Sequence, residues 1–210
     1  MPRHPNSSAI QSVRLKPPVA SHSANRLHTG RLVLTPLDAQ CAVAAARLQT
    51  TLEHNGLIGA LMPGTSSAYR AGDRLLDLVG FTGCAVQLDL DASRDDAFVH
   101  VRIEGPHPKP VLRRGRNSRP PRCPTCNASL ADWRDQTASW EHDEVPLLHC
   151  HACGLVGPAW AWNWRRQAGF GRIFVIIEEV FPGEGQPLPA LLAMLNALGA
   201  GPWQHFYVQD

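Results

Sequence analysis

No apolar run in this sequence approaches the roughly 18 residues that a bilayer span needs. The longest, residues 188–198, is too short and contains Asn196. The first 30 residues lack a continuous apolar stretch, so no secretory signal is expected and the cytoplasm is the expected compartment. Catalytic signatures are missing too. No HExxH, GxGxxG or Ser/His/Asp order occurs, and the glycine-containing loop 181–185 lacks the Lys-Ser/Thr of a P-loop and carries Glu184, which repels phosphate. Lysine is scarce, since 18 of the 20 basic residues are arginine. Only 18% of residues are charged and 44% are hydrophobic, which excludes a wholly disordered, collagen-like or coiled-coil chain and leaves a core of useful size.

The net charge of +2 is a cancellation of unlike segments. Residues 1–37 carry five basic groups and no acid, and residues 38–108 sum to −4. Residues 109–122 hold Lys109, Arg113, Arg114, Arg116, Arg119 and Arg122 without a single acid, whereas residues 123–164 sum to −4.

Residues 1–29, rich in Pro, Ser, Asn and His, read as a disordered basic tail. An acid-free start with Arg and Ser also suits a transit peptide, although no amphipathic helix accompanies it. Residues 31–35 read as a strand, and Thr35-Pro36 as the cap of a helix whose stripe is Leu37, Cys41, Ala44, Ala45, Leu48 and Leu52. Asn55-Gly56 ends it, and Asp73 caps a short helix that Gly80 stops. Residues 84–90 and 97–103 alternate apolar and polar, as a hairpin with one wet face does, and Cys84 and Cys41 read as buried small hydrophobes. Residues 172–181 are apolar on both faces, a central strand. A helix over 187–198 and a strand over 203–208 follow, with the spacing of a parallel crossover. The expected fold is α+β: a mixed sheet with helices on one face, in a ferredoxin-like βαββ…βαβ order. Residues 30–108 and 167–210 build this domain, and 123–166 is inserted into it behind an extended arginine-rich arm, 109–122.

Cys123-Pro-Thr-Cys126 and Cys150-His-Ala-Cys153 are two CxxC pairs, each followed by a residue that tolerates left-handed backbone, Asn127 and Gly154. Two disulfides, a redox dithiol and an iron site compete with zinc here. Disulfides need an oxidising compartment, and a redox motif needs only one pair. Over residues 123–153 the chain resembles a zinc ribbon. That resemblance implies Cys123, Cys126, Cys150 and Cys153 as the ligands of one structural Zn²⁺, with no position left open for catalysis. His149 and His151 flank Cys150 as substitute ligands.

The arginine-rich arm precedes the first CxxC pair, and Trp160, Trp162 and Trp164 follow the second. In an extended chain these tryptophans share one face, a platform on which bases or a partner can stack. Arg113, Arg114, Arg116, Arg119, Arg122 and the three tryptophans are therefore the expected binding surface, for a protein partner or for nucleic acid through 109–122. The alternative for these residues is internal: the arm pairs with acidic segments and the tryptophans form the insert's own core. The expected function is macromolecular binding. An enzyme with its site near Glu179 and Glu184 is the alternative, and Glu178 and Glu179 then lie on opposite faces of their strand.

Overall fold

The computed structural model describes residues 30–82, 98–138, 140 and 145–210. The tail 1–29, the strand expected over 84–90 and Cys84 lie outside the described residues. The elements in chain order are β1 (Gly30–Pro36), α1 (Ala45–His54), β2 (Ile58–Leu61), β3 (Ala68–Ala71), α2 (Leu75–Leu78), β4 (Val79–Phe81), β5 (His100–Glu104) and β6 (Val111–Arg114). Then follow α3 (Trp133–Thr137), β7 (Leu147–His149), β8 (Val156–Pro158), β9 (Ala168–Gly171), β10 (Phe174–Glu178), β11 (Gly185–Pro187), α4 (Pro189–Asn196) and β12 (Trp203–Gln209).

The protein is α+β. Its main sheet has the order β12-β1-β10-β5-β3-β2, with every neighbouring pair antiparallel. The sheet is thus not mixed. β10 and β12 do run the same way through α4, but β1 lies between them. The expected parallel crossover takes this split form because β1 occupies the edge of β10 on which β12 would otherwise pair. Together β12-β1-β10-β5 give the expected ferredoxin-like strand order, and β3 and β2 extend it on one side.

Alternation sorts the sheet residues by face. Leu32, Leu34, Val101, Ile103, Val175 and Ile177 are buried with Leu48 and Leu52 of α1, Leu75 and Leu78 of α2, and Leu191 and Leu195 of α4. Three helices therefore cover one face. α1 starts later than the sequence pattern implies, because β1 runs on through Pro36, paired with Trp203. Thr35 is fully buried and its hydroxyl donates to the Ile173 carbonyl at 2.9 Å, so it cannot cap a helix. Leu37 ends up 56% exposed, and Cys41 is half-buried in the loop before α1, its thiol donating to Asp38. No helix among the described residues is long and apolar enough to cross a membrane.

The opposite face carries Val33, Phe174, Ile176, Phe206 and Val208, beside a charged group at its centre. Glu178 is buried and accepts from Arg31 Nε at 2.8 Å and Arg102 Nε at 2.7 Å. Glu104 accepts from Arg113 and from His107, and Arg31 also pairs with Asp210. Over part of this face lies the two-stranded ladder β6–β9, the strands into and out of the cysteine-bearing segment. Its approach depends on Gly169 and Gly171, where a Cβ would collide with the Phe206 ring and the Thr35 side chain. Ala168 and Phe170 alternate with these glycines and belong to the apolar core of the cysteine segment.

Candidate metal centre and arginine cleft

Two backbone turns of the same design hold the four cysteines. In the first, Cys123 N–H donates to the Ala128 carbonyl at 2.9 Å and Asn127 N–H to the Cys123 carbonyl at 3.0 Å. In the second, Cys150 N–H donates to Leu155 at 2.8 Å and Gly154 N–H to Cys150 at 2.8 Å. Asn127 and Gly154 have φ of 60° and 74°, the left-handed backbone that the sequence pattern anticipates there.

All four Sγ atoms lie within 4.8 Å of one another. Across the two turns, Cys123 Sγ is 3.7 Å from Cys153 Sγ, and Cys126 Sγ is 3.6 Å from Cys150 Sγ. A tetrahedron with metal–thiolate bonds of about 2.3 Å has edges of about 3.8 Å, so the donor set fits one four-coordinate ion. Burial raises the Cys123 pKa, but the N–H groups of Cys126 and Thr125 bring it down to about 7. At Cys153 the Leu155 N–H favours the thiolate, yet burial and the sulfurs of Cys126, Cys150 and Cys123 push it up to about 12. A cation at the centre would favour the thiolate at all four positions.

The candidate substitute ligands point elsewhere. His151 Nε2 is 2.9 Å from Asp132 Oδ2, and His149 N–H donates to Gln136 Oε1 at 2.9 Å. Their rings pack edge to face, and neither joins the cysteine cluster.

The tryptophans do not form an open platform. Trp162 and Trp164 are buried with Cys123, Leu130, Trp133, Leu148, Cys150 and Phe170, and Trp160 packs beside them on Phe170. Trp164 Nε1 donates to the Ala159 carbonyl at 2.9 Å and its ring meets Trp133 edge to face. A 3-10 turn at Ala159–Ala161 breaks the extended backbone on which a shared face depends. A small metal-stapled unit also needs these rings for its own core.

The arginine arm is divided as well, because β6 makes it a paired strand rather than an extended arm. Arg113 is ion-paired with Glu104 and stacks on Phe174, and Arg114 lies over Trp133. Arg122 donates through Nη1 to the Asn127 carbonyl, and its backbone exchanges hydrogen bonds with Asn163. These three serve the fold. Arg116 and Arg119 remain exposed and meet two residues absent from the expected surface, Arg165 and Arg166.

These four arginines line one cleft of about 640 Å³, with Asn117, Ser118, Gln167, Tyr207 and Gln209 among its other walls and, among the described residues, no acidic one. Side-chain and backbone hydrogen bonds tie its walls to the outer edge of β12 and to Gln167. Asn117 Nδ2 donates to the Tyr207 carbonyl at 2.9 Å, and Gln209 N–H donates to Asn117 Oδ1 at 3.0 Å. Arg116 N–H donates to the Gln209 carbonyl, and Ser118 Oγ to that of Gln167. No protein family, curated protein or solved structure matches the chain. Function has to be argued from this geometry.

Of the carboxylates in the enzyme alternative, Glu179 sits in left-handed backbone at φ 60° just past the end of β10, and Glu184 is exposed. Strand alternation therefore stops at Glu178. The doublet Arg165-Arg166 was visible in the sequence, but the signal that sets it apart, two consecutive left-handed residues at φ 54° and 57°, is a backbone property.

Proposed function

We propose that this protein binds an anionic macromolecule through the cleft of Arg116, Arg119, Arg165 and Arg166, and that a zinc-ribbon-like unit with one structural Zn²⁺ on Cys123, Cys126, Cys150 and Cys153 holds that cleft in shape. Support for zinc comes from the all-thiolate donor set and its tetrahedral spacing, which leave no coordination position for substrate or water. Four reduced thiols belong to a reducing compartment, which favours the cytoplasm.

Support for the binding role comes from one observation above the others. Four cations drawn from two segments nearly fifty residues apart converge on one cleft, and the described residues of its walls include no acid. Exposed like charges repel one another, and an arriving polyanion converts that repulsion into attraction and releases its own counterions. The metal unit lies between these segments in sequence, and the Arg122–Asn163 backbone pair joins its two ends just inside them.

The test is binding of the zinc-loaded full chain to polyanions of several chemistries over a range of salt. Arg116→Gln with Arg119→Gln should roughly halve the salt dependence and leave zinc content and the unfolding midpoint unchanged. Arg113→Gln should do the opposite, lowering stability through Glu104 while sparing the affinity.

A further inference from the structure

We infer that the polyanion is a single-stranded nucleic acid, its phosphates held in the arginine cleft and one base seated in a neighbouring cavity. This inference rests on the binding role proposed above and adds the identity of the ligand.

The neighbouring cavity has a volume of about 180 Å³, and Trp160, Trp162, Phe170 and His205 are among the residues that line it. Arg165 and Arg166 line this cavity and the arginine cleft alike, so they form the ridge between a cavity walled in part by the half-buried Trp160 and a cationic cleft. A nucleotide has the same division, a planar ring joined to a phosphate by a short sugar. At 180 Å³ the cavity lies below the roughly 300–1,000 Å³ of drug-sized sites and takes a single ring system.

Unpaired polar atoms gather at the same ridge. Among the described residues, five buried side-chain nitrogen or oxygen atoms have no hydrogen-bond partner, and three of the five are here. Trp162 Nε1, a donor, belongs to a residue lining the aromatic cavity. Gln167 Oε1, an acceptor, belongs to one lining the arginine cleft, and Arg165 Nε to one lining both. Buried polar atoms are nearly always paired, so each of these three calls for an explanation, and a ligand bound at the ridge is one that serves all three residues. The left-handed backbone at both Arg165 and Arg166 fits the same view, since unfavourable conformations of bulky residues persist where surrounding structure holds them and gather at ligand sites.

A single strand is favoured over a duplex because duplex bases are stacked inside the helix and cannot enter a side cavity, whereas an unpaired base can leave the strand and meet aromatic rings. An acidic protein would satisfy the arginines but would leave the cavity beside Trp160 unused.

The experiment uses the zinc-loaded full chain and four probes of matched length or charge: an oligothymidylate, the same backbone with abasic sites, heparin and polyglutamate. Thymidine monophosphate is added as a fifth. The oligothymidylate is expected to quench tryptophan fluorescence and to bind about ten-fold more tightly than the abasic strand. For four phosphate contacts its affinity should fall with salt at a log–log slope of about −3, which Arg116→Gln with Arg119→Gln roughly halves. Trp160→Ala should reduce the oligothymidylate to the abasic level without changing the salt slope. Trp160→Phe, which keeps the packing on Phe170, should restore most of the difference and guards against misfolding. Equal affinity for base-bearing and abasic strands, for heparin or for polyglutamate would overturn the inference and leave the binding role standing. Equal affinity for the monophosphate would also overturn it, in favour of a small nucleotide. Failure of every polyanion to bind at low salt would overturn the binding role itself.

Discussion

Cys126 Sγ lies 3.6 Å from Cys150 Sγ, although 23 residues separate them and each belongs to a different CxxC turn. That contact is the closing edge of the thiol tetrahedron. Elemental analysis of the chain purified under reducing conditions should find one zinc per chain, and less than half an equivalent with no other metal would refute the assignment. Cys150→Ser, or chelation of the native chain, should eliminate the near-ultraviolet dichroism of the packed Trp133, Trp162 and Trp164. The main sheet should still unfold cooperatively, because its helix-covered core shares no residue with theirs.

Asn127 tests the turn geometry apart from the ligands. Its φ of 60° costs an ordinary residue about 1–2 kcal/mol, while Asn and Gly adopt it readily. Asn127→Val should therefore weaken metal binding by about ten-fold, measured by competition with a chromophoric chelator. Asn127→Gly should leave it nearly unchanged. Equal losses in both variants would mean that the Asn127 side chain, not its backbone, matters.

Glu178 is the one buried acid among the described residues, and two arginines converge on it. Breaking a fully buried ion pair costs roughly 3–5 kcal/mol. Arg31 and Arg102 are 27% and 33% exposed and can rehydrate, so Glu178→Gln should lower stability by about 2 kcal/mol. The urea midpoint should fall with the slope unchanged. A midpoint within error of the parent would show that the neighbouring backbone, not the carboxylate, holds the two arginines.

His205 sets an acid limit on the sheet edge. Burial first, and the Arg166 guanidinium second, hold its pKa below the ordinary 6.5. The unfolded chain takes up a proton below pH 6.5 that the folded chain refuses. Stability from this residue is complete above that pH and declines as the pH falls toward the folded value, by at most about 1.4 kcal/mol per pH unit. Urea midpoints between about pH 7.5 and 5.5 should drop less steeply in His205→Gln than in the parent. Parallel curves would remove His205 from the account.

Much of the α+β core was readable because its residues repeat at the spacing of the element they form. The Leu48 and Leu52 pair, the alternation of Val99, Val101 and Ile103, and the unbroken apolar run of β10 each carry that period. The cysteine cluster was readable for a different reason, since the spacing within each turn is local and the residue after it is diagnostic. What sequence could not supply was long-range exclusion. Nothing in residues 172–208 says that β1 will lie between β10 and β12, and nothing in Thr35-Pro36 says that its hydroxyl is claimed by Ile173, 138 residues away. The arginines misled for the same reason. Arg113 and Arg116 look alike in a run of cations, and nothing in that run says that Arg113 meets Glu104 while the Arg116 backbone pairs with the β12 edge.

The place of β1 also fixes an order of events during synthesis. Both of its edges wait for partners from β10 and β12, so the centre of the sheet cannot close until residue 209 has been made. The cysteine turns and their tryptophans are complete once about residue 171 has emerged. Under the proposed role of the metal, its capture can therefore precede the main fold, and a chain made without it should assemble its sheet but not its cleft.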